Sequence, residues 1–211
     1  MDNTIIFLIR HGDVENPEGI IYDGTISLSE FGKQKMRAFG RSLREKGVTP
    51  DAVVSSDFLR AMQSSAEIMS NYTNLNLSIE PDSRLQDPDS PDMFGRSLLW
   101  LAEIVDPYTD PELQNLRIEK PANFTARMIS AIKDVLGKYK GKTIFVVSHG
   151  DPTAFAMWQL LNPSKPLPSL RELINEKGRV VYLEKGEAWR ILFDESGSVV
   201  EHEHIPTSKV E

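Results

Sequence analysis

The chain has 211 residues, 40% hydrophobic and 26% charged, which is enough for one domain, or one domain with a modest cap, around a single core. A net charge of −7 and a pI near 5.2 argue against a nucleic-acid surface, although a small basic pocket can sit on an acidic protein. The complete lack of cysteine excludes disulfides, thiolate zinc sites and cysteine-based phosphatase chemistry, and it fits a reducing compartment.

Met1-Asp2-Asn3-Thr4 lacks a basic n-region, and the apolar run Ile5–Ile9 is too short for a signal or a span. A cytoplasmic protein with no membrane partner is therefore expected. Ile5–Ile9 reads as a buried strand that stops at Arg10-His11-Gly12. Ser29 is a candidate N-cap and Gly47 a candidate C-cap, with Met36, Phe39 and Leu43 at helical spacing between them. Asp51–Val54 is a second strand, ending in Ser55-Ser56, and a helix follows to about Tyr72. Leu77–Ile79 is a weaker strand.

Residues 81–121 carry six prolines and many aspartates around one helical run, Ser97–Val105, and are expected to form an inserted cap. Phe124–Tyr139 reads as a helix, Thr143–Val147 as a buried strand ending in Ser148-His149-Gly150, and Asp151-Pro152 as the start of another helix. Phe155 and Trp158 read as core of that helix. Arg179–Leu183 and Ala188–Phe193 suggest a terminal hairpin turning at Lys185-Gly186, with a polar tail from His202. The spacing of His202 and His204 would suit a metal pair, but two histidines on a polar tail read more simply as solvated.

Strands alternating with helices predict a three-layer α/β/α sandwich with a mostly parallel central sheet. Ligands bind such sheets beyond the carboxyl ends of the strands. Three strands end there in reactive groups: Arg10-His11, Ser55-Ser56 leading to Arg60, and His149. If these strands are parallel neighbours, two guanidinium groups and two imidazoles converge, and that set suits a phosphate. Arg60 falls in the first turn of its helix, which also favours anions. A histidine with one ring nitrogen held by a backbone carbonyl near Gly12 could attack phosphorus with the other. No glycine-rich loop and lysine of the P-loop type is present.

Four ordered stretches resemble the histidine phosphatase superfamily, which includes cofactor-dependent phosphoglycerate mutases. They are Leu8-Ile9-Arg10-His11-Gly12 with Asn16, Leu28–Gln34, Ser55–Gln63, and Val147-Ser148-His149-Gly150. The resemblance implies a phosphorylated His11, with Arg10, Arg60 and His149 completing the phosphate pocket and Asn16, Gly12 and Gly150 as further contacts. It implies no metal and no cofactor. The family's proton-donor motif, Leu-x-Glu, appears here as Leu85-Gln86-Asp87, one methylene, about 1.5 Å, shorter. Asp87 is thus the candidate acid, with Asp151, Asp13 and Glu15 as alternatives. Asp87 also reads as part of a solvated acidic loop, and Asn16 as the start of a turn before Pro17. Phe94, Trp100 and Tyr108 either line the cap or pack it onto the core.

The expected function is metal-independent hydrolysis of a small phosphorylated metabolite through a phosphohistidine. A mutase and a non-catalytic phospholigand-binding protein are the alternatives. Residues 81–121 hold only Arg84, Arg96, Arg117 and Lys120 as cations, which disfavours a doubly phosphorylated cofactor. The oligomeric state is not readable from the sequence.

Overall fold

The computed structural model describes residues 3–104, 106–175 and 182–207. A six-stranded sheet runs in the order β3-β2-β4-β1-β5-β6. Its strands are β1 (Thr4–Arg10), β2 (Ala52–Ser55), β3 (Ile79–Pro81), β4 (Thr143–Ser148), β5 (Ala188–Phe193) and β6 (Val199–Ile205). The first four are mutually parallel, and β5 and β6 are antiparallel additions. The side-chain period of two splits β1 between two cores. Ile6 and Leu8 pack with Phe124, Met128 and Phe155 from α4 (Pro121–Lys138) and α5 (Gly150–Leu161). Phe7 and Ile9 pack with Met36, Phe39 and Ile68 from α1 (Glu30–Glu45) and α2 (Leu59–Met69) on the opposite face. Burial on both faces explains why β1 and β4 read as continuous apolar runs. The expected three-layer sandwich with a mostly parallel sheet is what forms.

Ser29 caps α1, its hydroxyl accepting the Gly32 N–H at 3.0 Å, and Gly47 ends the turn beyond it at φ +77°. The described part of residues 82–120 winds through three short 3₁₀ turns and α3 (Leu98–Glu103), which Ser97 caps and which is shorter than the expected run Ser97–Val105. Met93, Leu113 and Ile118 are buried there in a small cluster of their own, with Ile21, Trp100 and Leu101 against it. After α5 comes α6 (Leu170–Asn175). Phe155 is buried, whereas Trp158 is only half-buried and its indole donates to the Pro166 carbonyl at 3.2 Å. No helix among the described residues is long and apolar enough to cross a membrane.

The expected terminal hairpin is corrected. Lys185-Gly186 does turn, with Gly186 at φ +82°, but Tyr182 and Leu183 lie outside any strand, and the rest of that arm, residues 179–181, lies outside the described residues. Besides β1, β5 pairs antiparallel with β6, whose residues from His202 onward were expected to be a polar tail. An edge strand is exposed on its outer flank and tolerates polar residues, so Glu201 and Glu203 do not break it. His202 and His204 share one face of β6 and lie against Trp189, with ring centroids 5.8 and 5.4 Å away, and His204 Nε2 is 2.9 Å from Glu187.

Candidate active site

The strand register decides which groups meet. Arg10 aligns with Ser148 across β1 and β4, and Ser55 with Val147 across β2 and β4, so three carboxyl ends share one sheet edge. The His11 N–H then donates to the Ser148 carbonyl at 3.0 Å, and the Ser56 N–H to the Val147 carbonyl at 2.9 Å. These bonds extend the ladder just far enough to bring the two imidazoles together, their ring centroids 5.1 Å apart. His149 occupies the N-cap position of α5, and Arg60 is the second residue of α2.

Each ring is held on one side. His11 Nδ1 lies 2.8 Å from the Gly12 carbonyl, which can only accept, so Nδ1 carries the proton and Nε2 a lone pair. His149 Nε2 lies 2.9 Å from the Ser56 hydroxyl, while its Nδ1 is buried without a partner. The Ser56 oxygen already accepts the Phe58 N–H at 3.3 Å, which leaves its own proton free for Nε2. Both rings are buried. Burial, the His149 ring and the Arg60 and Arg10 guanidiniums hold His11 well below the usual imidazole range. Burial and the charges of Arg60, Arg10 and Arg127 do the same to His149.

The Arg60 guanidinium is almost fully buried, flanked by the rings of Phe58 and Tyr22 at 4.9 and 5.1 Å. It donates to the Asp23 carbonyl and, from Nη2 at 2.9 Å, to Asp87 Oδ2. Arg10 donates to the Leu183 carbonyl at 2.6 Å and lies over the Tyr182 ring. Asp87 Oδ2 is also 3.7 Å from His149 Nδ1, so one carboxylate oxygen sits between two donors. The Asp87 loop hangs from the core rather than floating in solvent. Ser148 donates to the Leu85 carbonyl, and Arg127 of α4 donates to the carbonyls of Arg84, Gln86 and Asp87.

Arg10, His11, Arg60, Asp87 and Gly150 line one cavity of about 400 Å³. Three sequence-expected site residues do not line it: Asn16, Gly12 and His149, the last fully buried against His11 and 3.7 Å from Asp87. The Asn16 amide donates to the Ile20 carbonyl and its oxygen accepts the Ile20 N–H, so the side chain closes its own turn beside a neighbouring groove. Gly12 also lies off the cavity: its carbonyl holds His11, its N–H donates to Ser64, and a Cβ would meet Met36 at 2.8 Å. At Gly150 a Cβ would stand 2.5 Å from the Tyr182 hydroxyl and 2.9 Å from Arg10 Cζ, so glycine is what lets Arg10 lie there. Of the alternative carboxylates, Asp13 pairs with Lys35, and neither it nor Glu15 lines the cavity.

Sequence reasoning placed Ser55-Ser56 at this edge without giving Ser56 a role, and it missed Tyr182 and Arg127 as contributors. It also left Asp151 and Tyr108 without a defined contact. The Asp151 carboxylate accepts the hydroxyls of Tyr108 and, at 2.7 Å, Tyr182, joining α5 to two separate loops. Burial and the Asp87 charge push its pKa up, while the two phenols and Arg10 oppose them. The adjacent serines Ser55-Ser56 were the one local signal. Tyr182 and Tyr108 meet Asp151 from 31 and 43 residues away, with no pattern to announce it.

A neutral histidine lining the cavity, with one ring nitrogen unprotonated, beside two guanidiniums and a second imidazole, can take a phosphoryl group while these neighbours stabilise the charge on its oxygens. Comparisons with known proteins point the same way. The chain is 28% identical over 156 residues to a Saccharomyces cerevisiae protein named broad-specificity phosphatase, covering 71% of this chain and 67% of the relative. Among solved structures, Bacillus stearothermophilus YhfR superposes with a TM-score of 0.74 at 19% identity, over 97% of this chain and 96% of that one. A phosphoglycerate mutase from Bacillus anthracis superposes at 0.70 and 18% identity, over 97% and 93%. At such identities the structural likeness concerns the fold alone. The sequence profile of the histidine phosphatase superfamily (branch 1) matches residues 6–192, and the chain belongs to that family.

Proposed function

We propose that this protein is a metal-independent phosphomonoesterase that acts on a small phosphorylated metabolite through a phosphohistidine at His11. The observation that carries the reading is the His11 ring, neutral, with Nδ1 committed to the Gly12 carbonyl, beside Arg10 and Arg60. Nε2 attacks phosphorus in line and the ester P–O bond breaks. Arg10, Arg60 and the Nδ1–H of His149 donate to the phosphoryl oxygens and stabilise the charge that develops there. Ser56 holds that tautomer by donating to Nε2.

In the free site Asp87 Oδ2 stands where a phosphoryl oxygen would meet both Arg60 and His149. When the dianion takes over Arg60, Asp87 loses its counter-ion and faces a like charge. The carboxyl freed in this way acts as the acid and delivers its proton to the departing alkoxide. In the second half-reaction Asp87 removes a proton from water, the water oxygen attacks phosphorus, the P–N bond breaks and phosphate leaves. The yeast relative's name supports hydrolysis over transfer to a second alcohol. The cysteine-free composition fits a cytoplasmic setting.

The test is rapid-quench analysis with a ³²P-labelled ester. An acid-labile, base-stable phosphoenzyme should form in the intact protein, vanish in His11→Ala, and persist in EDTA. Undiminished turnover by His11→Ala would remove the nucleophile, and loss of activity in EDTA would remove the metal-free mechanism.

A further inference from the structure

We propose that the alcohol released here is uncharged and apolar or aromatic, and that the site discriminates against phosphoesters carrying a second anion. The inference rests on the phosphatase reading above and names its substrate class. The cavity, at about 400 Å³, falls within the range of sites for drug-sized ligands, roughly 300–1,000 Å³, so most of it lies beyond the phosphoryl position. Its outer wall is built from Ile21, Met93, Phe94, Leu101, Pro107 and Ile118. Met93 and Ile118 are buried in the small cluster formed by residues 82–120, which fixes this wall. Phe94, 41% exposed, carries the apolar surface to the cavity mouth.

The charges argue in the same direction. Among the described residues, Arg10 and Arg60 are the only lysine or arginine side chains lining the cavity, and both serve the phosphoryl group. Lys185, within electrostatic reach of Arg10 and Arg60, does not line the cavity, and the cations of residues 84–127 beside it are engaged elsewhere. Arg84 pairs with Asp82 and Asp134, Arg117 with Asp92, and Arg127 with Glu119, while Arg96 lies over Trp100. Asp23, Asp87, Asp89 and Asp151 stand on the cavity wall. A carboxylate or second phosphate on the substrate would lose water, meet no cation and face like charges. A cationic alcohol is less well served than an apolar one. Asp151 is taken by two tyrosines, Asp23 by Thr25, and Asp87, once the phosphoryl group displaces it from Arg60, by its work as the acid, which leaves Asp89 for a cation against six apolar side chains for an apolar group.

The experiment compares kcat/KM for esters with similar primary-alcohol leaving groups: 3-phenylpropyl phosphate, glycerol 3-phosphate, 3-phosphoglycerate and phosphocholine. 3-Phenylpropyl phosphate should exceed 3-phosphoglycerate by about 100-fold or more. Phe94→Arg, at the exposed rim, should shrink that ratio by roughly tenfold by placing a cation where a second anion would lie. Parity between the two esters in the wild type, or phosphocholine as the better substrate, overturns the inference. So does an unchanged ratio in Phe94→Arg. p-Nitrophenyl phosphate separates the two levels of failure. His11-dependent hydrolysis of it without discrimination among the alkyl esters leaves the phosphatase reading standing and removes this one. No turnover of any ester removes both.

Discussion

Ser56→Ala tests the least obvious part of the mechanism, because Ser56 touches no substrate in it. Its hydroxyl is 2.9 Å from His149 Nε2 and is the ring's only hydrogen-bond partner among the described residues. Removing it leaves both nitrogens of a buried imidazole unpaired, and the Phe58 N–H loses its acceptor. An unsatisfied buried polar group is worth about 1–3 kcal/mol, so the midpoint of denaturant unfolding should fall accordingly. The catalytic effect has a separate origin. A net hydrogen bond of about 1 kcal/mol biases the two neutral tautomers by roughly fivefold, and losing one charge-stabilising donor outright costs about 10²–10³ in rate. Loss of the bias alone lowers the correct tautomer's population by about twofold to fivefold, so the expected fall in kcat lies between about twofold and 100-fold, with about tenfold as the central figure. Ser56→Thr keeps the donor and should recover most of the rate. ¹⁵N chemical shifts of the ring report the tautomer directly: Nδ1–H in the wild type, and a mixture in Ser56→Ala. A Ser56→Ala enzyme that is destabilised yet keeps its wild-type kcat and tautomer would refute the reasoning, since a purely structural role predicts that outcome.

Asp87→Asn should slow alkyl phosphates with poor leaving groups by at least roughly 100-fold, and p-nitrophenyl phosphate far less, because nitrophenolate departs without a proton. Equal slowing of both would take Asp87 out of the acid role. Gly150→Ala places a Cβ against Arg10 Cζ and the Tyr182 hydroxyl, and should lower kcat/KM more than tenfold while far-UV circular dichroism stays unchanged. Full activity in that variant would show that Arg10 need not lie there. Because burial and neighbouring cations depress the His11 pKa, kcat/KM, corrected for substrate ionisation, should stay flat from pH 7.5 to below about 6.5. An inflection at or above 6.5 contradicts the site's electrostatics. The same depression affects stability. Below about pH 6.5 the unfolded chain binds protons that the buried His11 and His149 refuse, so Tm should fall as the pH drops from there. A Tm independent of pH between 6.5 and 5 would count against both assignments.

Legibility in the sequence followed burial. β1 and β4 lie inside the sheet with helices on both faces, and that environment writes a plain apolar run into the chain. The polar ends of those runs were therefore readable as one edge, and Arg10, His11, Arg60 and His149 could be brought together before any coordinates. Among the described residues β6 is the last strand of the sheet, and it carries Glu201, His202 and Glu203 in succession, a pattern shared with unstructured tails. Asn16 illustrates a different limit. A side-chain amide can serve a ligand or its own backbone equally well, and only the loop geometry shows that here it bonds Ile20. The Asp151–Tyr108–Tyr182 cluster was hidden because its members come from three segments whose proximity is fixed by tertiary packing alone.

The suspension of the Asp87 loop also bears on how new specificities could be grafted onto this framework. Its anchors, Ser148 and Arg127, belong to β4 and α4, and the carbonyls they grip, at residues 84–87, lie upstream of α3 and the cluster around Met93. Side chains around Met93 and α3 could thus be exchanged to alter what the pocket admits, with the Tyr108–Asp151 bond and the backbone bonds to residues 19–21 retained, while the Asp87 acid keeps its mooring on the scaffold.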